Sequence, residues 1–432
     1  MQRIVRFKTD GACLVRLPQA ALCFLITLLY LQPTIGDLFQ GFFLADAIAN
    51  YADELIAVFF ILYFLYFTLR YPIGYFEVGL IAFSVSVLIL GGVSSTIHRF
   101  QEFIPSMIDA FGFVKFPLTL TGANCFFRRH RFQQGYFSCM RCLVLLIALI
   151  YPFLILSNSF LHIFPQGDFR WFMHSQVLFY RWPANLSLIC IFGMLFIYDT
   201  NKDRKNLLLM LTLSLTGMSA LRAKECAVIA VFWMLHIYFL ILKRKKILPI
   251  TLFASAGVLL IGIRNFLDYY GNLEYARAAL AVKAVEIASD FFPLGSGFGS
   301  YATGQSAAHY SMIYYQYGLS HIWGLTKEKP NFMADTFWPA IIGELGWGGS
   351  VLFLLLFFVL LMKCLSIRSN PRYFVASLCV SIYLILSSLS SQSVIGTFGV
   401  ICAILLAYFW NIGKQKNGLQ KLLVSSRNVA TI

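Results

Sequence analysis

Long apolar runs separated by short polar segments dominate this chain. A helix needs about 20 largely apolar residues to cross a bilayer, and most of the runs approach or exceed that length. The pattern therefore predicts an all-α polytopic membrane protein with about twelve transmembrane helices. The predicted spans cover residues 14–32, 52–69, 73–93, 103–126, 141–160, 183–199, 207–221, 225–242, 247–263, 336–362, 373–392 and 395–411.

The composition supports a bilayer environment. Of the 432 residues, 59% are hydrophobic and 12% are charged, and the mean hydropathy is +0.74. A soluble domain has about 25% charged residues, roughly twice the share found here. The net charge of +15 is not a sign of nucleic-acid binding, because cytoplasmic loops of membrane proteins collect Lys and Arg. We expect a lipid bilayer as partner and no nucleic acid.

The basic residues orient the predicted spans. With the N-terminus in the cytoplasm, most Lys and Arg fall on the inner side, including the cluster KRKK at 243–246 and the basic tail. One span more or fewer would place that cluster or the tail outside, against the positive-inside rule. Both termini are therefore expected in the cytoplasm. The topology predicts helices 1–9 with short loops over 1–263, a large outer loop over 264–335, and helices 10–12 with the tail over 336–432.

Several arginines remain on the outer side, where the positive-inside rule does not account for them. A guanidinium is permanently charged, and its planar fork fits phosphate oxygens. Snorkelling to lipid headgroups, or pairing with Asp168, Glu225 or Glu274, would also explain any one of them. As a set they favour an anionic substrate. The candidate residues for binding this anion are Arg170, Arg222, Arg264 and Arg277.

Two carboxylates lie in NFMADTFWPAIIGELGWGG, at the start of the tenth predicted span. Asp335 precedes the apolar run and is expected to cap the helix, a role compatible with that of a general base. Glu344 lies nine residues further on and, at about 100° per residue, on a different face. We expect Glu344 to be a structural intramembrane acid, paired with Lys115 or with backbone donors.

The large outer loop contains a glycine-rich and an aromatic stretch. PLGSGFGSYATG lacks the lysine and the spacing of a nucleotide-binding loop, so we expect a tight turn after a helix over 273–290. HYSMIYYQYGLSHIWGL is rich in rings, which suit either sugar binding or an interfacial aromatic belt. The seven histidines form no metal-binding motif, so no metal and no cofactor are predicted. Candidate sugar-binding residues are Tyr301, His309, Tyr314, Tyr315 and Trp338.

In their order along the chain, these features resemble those of the bacterial O-antigen polymerases, within the O-antigen ligase and polymerase superfamily. The resemblance rests on LRAKECA at an outer turn, an arginine-bearing helix in one large late outer loop, PLGSGFGSY in place of PLxGxGxxxY, and a polar residue nine positions before ELG. GDFRWF is similar to an outer-loop arginine motif of polymerases. Ligases usually have His followed by Asn where this chain has Asp335 and Thr336, which favours the polymerase.

The resemblance implies a GT-C-like fold and a metal-independent, inverting glycosyltransferase of lipopolysaccharide biosynthesis at the periplasmic face of the bacterial inner membrane. The growing glycan would pass from undecaprenyl pyrophosphate to the non-reducing end of a new lipid-linked repeat unit. Asp335 would be the catalytic base, and the four arginines would hold the diphosphate. The alternatives are an O-antigen ligase that uses lipid A–core as acceptor, and a flippase or other transporter of the same lipid. A chain-length regulator would be a further partner.

Overall fold

The computed structural model describes residues 12–130, 140–171, 173–199, 204–244 and 275–429, and most of them are helical. Eight helices among these residues are long and apolar enough to cross a membrane. The chain is therefore a multi-pass helical membrane protein. The elements are α1 Ala12–Leu38, α2 Phe43–Thr68, α3 Tyr75–His98, α4 Phe103–Arg129, α5 Arg141–Leu161, β1 Gln166–Arg170, β2 Met173–Gln176, α6 Pro183–Asp199, α7 Arg204–Met218, α8 Ala223–His236 with a π-helical continuation Ile237–Ile241, α9 Ala276–Asp290, α10 Gly304–Ala308, α11 Ile313–Gln316, a 3-10 turn Leu319–His321, α12 Phe337–Leu365, α13 Pro371–Ser388 and α14 Thr397–Val429.

Every predicted span that falls on described residues coincides with a helix. The eight spans of membrane-crossing length are α2–α5, α8 with its continuation, α12, α13 and the first part of α14. The apolar parts of α1 and α6 are shorter, and α7 has 15 residues. The ninth predicted span, 247–263, lies outside the described residues, so the count of twelve stays a prediction. The helix predicted over 273–290 is observed as α9.

The chain divides into two compact units. Unit 1 comprises residues 1–52 and 135–220 and contains α1, α5, α6, α7 and a β-hairpin. In the hairpin β1 and β2 run antiparallel, with Arg170 paired to Met173. Inside unit 1 the buried Tyr30 donates a hydrogen bond of 2.8 Å to the carbonyl of Ile189 and packs edge-on against Phe196. A single hairpin in an otherwise helical unit agrees with the helical class that the apolar runs predict.

Unit 2 comprises residues 53–134 and 221–432 and contains α3, α4 and α8–α14; α2 has residues in both units. α4 packs along α3 and α14, and α13 packs against α8 and α14. In their most apolar windows 61% of the residues of α4, 72% of α13 and 78% of α14 are buried, against 33% for α3. The interior of unit 2 is therefore built on α4, α13 and α14, whereas α3 presents most of its side chains outwards.

α12 contains a break that shapes the neighbouring loop. Gly346 has φ 63° and ψ −163°, which interrupts the helix. The loop between α9 and α10 approaches at this point, because a Cβ on Gly295 would lie 2.5 Å from the Gly346 nitrogen. Glycine is required at such a backbone contact and at positive φ. The carbonyls of Gly343 and Glu344, in the turn before the break, accept hydrogen bonds from the loop.

Candidate functional site

Arg277 and Asp335 form an ion pair in unit 2. Arg277 Nη2 donates to Asp335 Oδ2 at 2.8 Å, and the two side chains are 25% and 35% exposed. Arg277 is the second residue of α9, Asp335 shortly precedes α12, and these two helices pack together. The structure thus brings together two residues that lie 58 positions apart and were both predicted for the site.

The prediction that Asp335 caps the following helix is wrong. Thr336 is the N-cap residue of α12, and no side chain makes a capping hydrogen bond there. The backbone N–H of Asp335 donates to the carbonyl of Phe332 in the preceding turn. Its carboxylate is directed to Arg277 instead, since an ion pair with a fixed guanidinium competes with the backbone N–H groups for the oxygens. Among the described residues, Oδ1 of Asp335 accepts no hydrogen bond.

Gln392 ties the start of α12 to the glycine-rich loop. Its Nε2 donates to the carbonyl of Thr336 at 3.1 Å and to the carbonyl of Ala302. Gln392 lies between α13 and α14, so three segments distant in sequence meet directly beside Asp335. The sequence reasoning did not single out Gln392, although its polar context SSLSSQS at the end of an apolar span is an unusual signal.

The start of α8 adds basic side chains to this network. Lys224 Nζ donates to Ser391 Oγ at 2.8 Å, one residue from Gln392. Lys224 also lies 3.6 Å from the buried carboxylate of Glu225. Arg222 is the half-buried N-cap residue of α8 and interacts electrostatically with Glu225. Lys224 is thus a cation of the site that sequence reasoning missed, although it stands two residues from Arg222 in LRAKECA.

The other two predicted arginines cannot be placed in this network, because Arg170 belongs to unit 1 and Arg264 lies outside the described residues. Arg170 belongs to unit 1, where its Nη2 donates to Asp168 at 3.1 Å. This is the pairing that sequence reasoning considered as the alternative to substrate binding. Among the described residues of unit 2, Arg277 is the cation that contacts Asp335, while Lys224 contacts Ser391 and Glu225 at the start of α8.

The glycine-rich loop over residues 293–304 is a structural turn. A phosphate-binding loop presents its backbone N–H groups to the ligand, whereas here they are used by the protein. This agrees with the tight turn expected from the sequence. The bonds are Ser296 N to Gly343 O (2.8 Å), Gly297 N to Glu344 O (2.9 Å), Phe298 N to Ser95 Oγ (2.8 Å), Gly299 N to Asp109 Oδ2 (2.9 Å), Tyr301 N to Glu344 Oε1 (2.7 Å) and Ala302 N to Tyr314 OH (2.8 Å).

Two buried carboxyl groups hold this loop on α4 and α12. Glu344 Oε1 accepts from the Tyr301 N–H at 2.7 Å and from Thr303 Oγ1 at 3.2 Å. Asp109 accepts from the loop two residues earlier in the chain, and its carboxyl group interacts electrostatically with that of Glu344. Glu344 is thus the structural acid that was predicted, and Asp109 is its partner.

Of the two partners expected for Glu344, the backbone donor is confirmed and Lys115 is wrong. Lys115 Nζ forms a buried ion pair of 2.6 Å with Asp53, and both side chains are less than 10% exposed. The pairing of Asp53 and Lys115 links α2 and α4. Charges inside a membrane helix require a partner, and Asp53 supplies it at a site separate from Glu344.

Two candidate sugar-binding rings are buried, which corrects their assignment. Tyr301 and Tyr314 are 0% exposed and stack with centroids 5.8 Å apart. Tyr301 OH donates to the carbonyl of Leu280 at 2.7 Å, and Tyr314 OH accepts from the Ala302 N–H. Burial raises the pKa of both phenols above the ordinary tyrosine value. These rings fix the loop and offer no face to a carbohydrate.

The other three aromatic candidates keep accessible ring surface. Tyr315 is 50% exposed, and His309 is exposed. Trp338, in the first turn of α12, is half-buried, and its Nε1 donates to Ser388 Oγ at 3.2 Å. Because Trp338 follows Asp335 by three residues, it is the one of these three candidates nearest in sequence to the ion pair.

No group of three or more His, Cys, Asp or Glu side chains that could hold a metal ion occurs among the described residues. Comparison with protein-family models and with curated proteins found no match to this chain. The functional interpretation therefore depends on the residues of unit 2 and their contacts.

Proposed function

We propose that this protein is a bacterial inner-membrane O-antigen polymerase, a glycosyltransferase that extends undecaprenyl-pyrophosphate-linked glycans. The observation that supports it is the ion pair of Arg277 and Asp335, which is partly exposed and lies beside the start of α12, where Gln392 binds the backbone of Thr336. A carboxylate next to a cation suits a reaction with a hydroxyl nucleophile and an anionic leaving group. The family resemblance of the sequence supplies the substrate class.

In the proposed reaction, the hydroxyl at the non-reducing end of a new lipid-linked repeat unit attacks the anomeric carbon of the growing glycan. Asp335 takes the hydroxyl proton as the new glycosidic bond forms. The bond between that carbon and the diphosphate oxygen breaks, and undecaprenyl pyrophosphate leaves with the electron pair. Attack from the side opposite the leaving group inverts the configuration. Guanidinium and ammonium groups neutralise the leaving charge, so the scheme uses no metal or cofactor.

The ion pair itself couples binding of the donor lipid to activation of Asp335 as the base. A guanidinium has five N–H donors, and a diphosphate competes with Asp335 for those of Arg277. Binding of the donor lipid then loosens the carboxylate and leaves it free to accept the acceptor's proton. Charge-assisted hydrogen bonds contribute about 1.5–3 kcal/mol each. Each one made only in the transition state accelerates the reaction by roughly 10- to 100-fold.

The remaining cations and rings have defined roles in this proposal. Lys224 and Arg222 bind the diphosphate from the start of α8, with Arg264 and Arg170 as further candidates. Tyr315, His309 and Trp338 contact the sugars. The site faces the periplasm with both termini in the cytoplasm, and a chain-length regulator is a partner.

The test expresses Asp335→Asn and Arg277→Ala variants in a strain that lacks its own copy of the gene, and analyses its lipopolysaccharide. Both variants are expected to insert normally but to leave single-repeat lipopolysaccharide, because the base or the diphosphate ligand is missing. The matched control is Lys283→Ala on the same helix, whose ammonium pairs with Glu286 at 2.6 Å and should keep a wild-type ladder.

Three outcomes would contradict the proposal. A wild-type ladder in the Asp335→Asn strain would show that Asp335 is not the general base. Polymer stranded on undecaprenyl pyrophosphate, in place of single-repeat lipopolysaccharide, would indicate a ligase. Purified protein that fails to elongate lipid-linked repeats in detergent, without a gradient or a second leaflet, but moves them across a bilayer would indicate a transporter.

A further inference from the structure

A second polar site lies at the other end of unit 2. It is a partly open cleft of about 650 Å³. α4 and α12 both begin beside the glycine-rich loop, where Ser106 Oγ donates to the carbonyl of Phe298 at 3.1 Å, and both end at the cleft. The site is therefore separated from Asp335 by the length of these helices. The polar residues that line it include Glu77, Asn124, Arg128, Lys363, Asn411 and Lys414.

The floor of the cleft is a fixed chain of hydrogen bonds. Asn411 Nδ2 donates to Asn124 Oδ1 at 2.7 Å, and Asn124 Nδ2 donates to the buried Glu77 Oε1 at 2.7 Å. Arg128 Nη1 reaches the same oxygen at 3.3 Å, and its Nη2 donates to the carbonyl of Pro72 at 2.9 Å. These contacts hold the guanidinium in one orientation, with 38% of the side chain still exposed. A cation held in this way is preorganised to meet an anion.

The mouth of the cleft contains more positive charge than its single carboxylate balances. Lys363 Nζ lies 4.0 Å from the centre of the Phe76 ring. Lys414 is exposed and lies close enough to Lys363 for direct charge repulsion. Within the part of the chain that the structure describes, neither lysine forms an ion pair with a carboxylate. Two ammonium groups and a guanidinium thus converge on a space where Glu77 is the only acidic residue among the described lining, and an anion in that space would relieve the repulsion.

The surroundings of the cleft fit the edge of a bilayer. Tyr75, at the start of α3, is 99% exposed beside the cleft, and exposed tyrosines are frequent at membrane–water interfaces. A second cavity of about 470 Å³ adjoins it, shares Arg128 and adds Arg129. Basic pockets between transmembrane helices recognise phosphorylated headgroups. The lining here has that composition, at the ends of α4 and α12.

We propose that this cleft is a binding site for a phosphate group, supplied by the headgroup of an anionic phospholipid or by a soluble phosphate anion. Arg128, Lys363 and Lys414 bind the phosphate oxygens, and the Asn124–Glu77 pair fixes Arg128. Planar guanidinium and mobile ammonium groups together suit the tetrahedral oxygens of a phosphate. The site is independent of the proposed catalytic function.

The experiment measures the melting temperature of the purified full-length protein in detergent while one additive is titrated. The additives are dioctanoyl phosphatidic acid, dioctanoylglycerol as the same chains without phosphate, and inorganic phosphate against chloride at equal ionic strength. A ligand that binds only the folded state raises the melting temperature saturably. The variants are Lys363→Gln and Lys414→Gln, which leave the Glu77 network intact. Arg70→Gln is the matched control, since Arg70 lies over the Tyr66 ring and does not line the cleft.

Phosphatidic acid is expected to raise the melting temperature where dioctanoylglycerol does not, and each lysine variant to weaken the apparent affinity about tenfold, or about 1.4 kcal/mol. The same dependence with inorganic phosphate alone would support the site and assign it to a soluble anion. The proposal is overturned if neither phosphate compound stabilises the protein, or if both lysine variants bind like the wild type. An equal loss in Arg70→Gln would also overturn it, because general surface charge would then explain the binding.

Discussion

Replacement of Glu344 tests whether the buried carboxyl pair holds the glycine-rich loop. In Glu344→Ala the Tyr301 N–H and the Thr303 hydroxyl lose their acceptor, and Asp109 loses the neighbouring carboxyl group. A buried donor left without a partner costs about 1–3 kcal/mol, so two donors amount to roughly 2–6 kcal/mol. With an unfolding entropy of about 2.1 cal/mol/K per residue, the melting temperature of a chain of 432 residues should fall by roughly 2–7 °C.

The conservative variant Glu344→Gln separates the loss of hydrogen bonds from the loss of side-chain volume. In Glu344→Gln the amide oxygen still accepts from Tyr301, and the neutral amide group fills the same space beside Asp109. The melting temperature should therefore fall by less than half of the alanine effect. Glu286→Gln is the matched control, because that carboxylate is 46% exposed and pairs only with Lys283 among the described residues. It should leave the melting temperature unchanged.

Hydrogen exchange locates the effect. Glu344→Ala should accelerate exchange at the amides of Gly299 and Tyr301 more than at amides of α13, because the loop loses its anchors while the interior helix keeps its own. The measurement uses purified protein in detergent, with thermal unfolding followed in parallel. If the glutamine and alanine variants are equally destabilised, or if the loop amides remain protected in Glu344→Ala, the carboxyl pair does not hold the loop.

Two further predictions concern the helices around the site. Gly346→Ala should destabilise the protein by about 1–3 kcal/mol, because the new Cβ would lie 2.7 Å from the Pro293 carbonyl at a positive φ. Gly79→Ala is the control and should not destabilise it, because its Cβ meets nothing within 4 Å. Equal melting temperatures of the two variants would contradict the close contact. Lys115→Met should lower stability by about 3–5 kcal/mol, because it removes the cation paired with the buried Asp53. Adding Asp53→Asn should restore much of that loss. Thermal unfolding of the single and double variants checks this, and an additive loss would refute the pairing.

The helices were largely predictable because a single physical requirement dominates them. A chain that crosses lipid must satisfy its backbone within each helix, so apolar length alone marks the spans, and each predicted span on described residues is a helix. Boundaries were less accurate at the polar ends. The last span was predicted to stop at residue 411, but α14 continues to Val429, since a basic amphipathic tail carries no apolar signal for its end.

The contacts of the site were predictable in kind but not in pairing. Charge rules selected Arg277 and Asp335 because both stand on the predicted outer side. Their ion pair depends on the packing of α9 against α12, which no local pattern encodes. The helical spacing placed Glu344 on a different face of the helix from Asp335. It did not decide whether the partner of Glu344 is Lys115 or a backbone donor of the loop. The composition of the aromatic stretch likewise did not distinguish the buried Tyr314 from the exposed Tyr315.

The break at Gly346 bears on how deep in the bilayer Asp335 lies. α12 has 29 residues, which corresponds to ~43 Å at 1.5 Å per residue, more than the ~30 Å of hydrocarbon in a bilayer. The part after the break begins with Trp347, 41% exposed, and reaches Lys363 after ~25 Å, a stretch bounded by residues typical of the two interfaces. The part before the break then needs no place among the acyl chains. In the proposed polymerase, hydrophilic repeat units would therefore meet Asp335 at headgroup level, while their prenyl tails remain in the hydrocarbon core below.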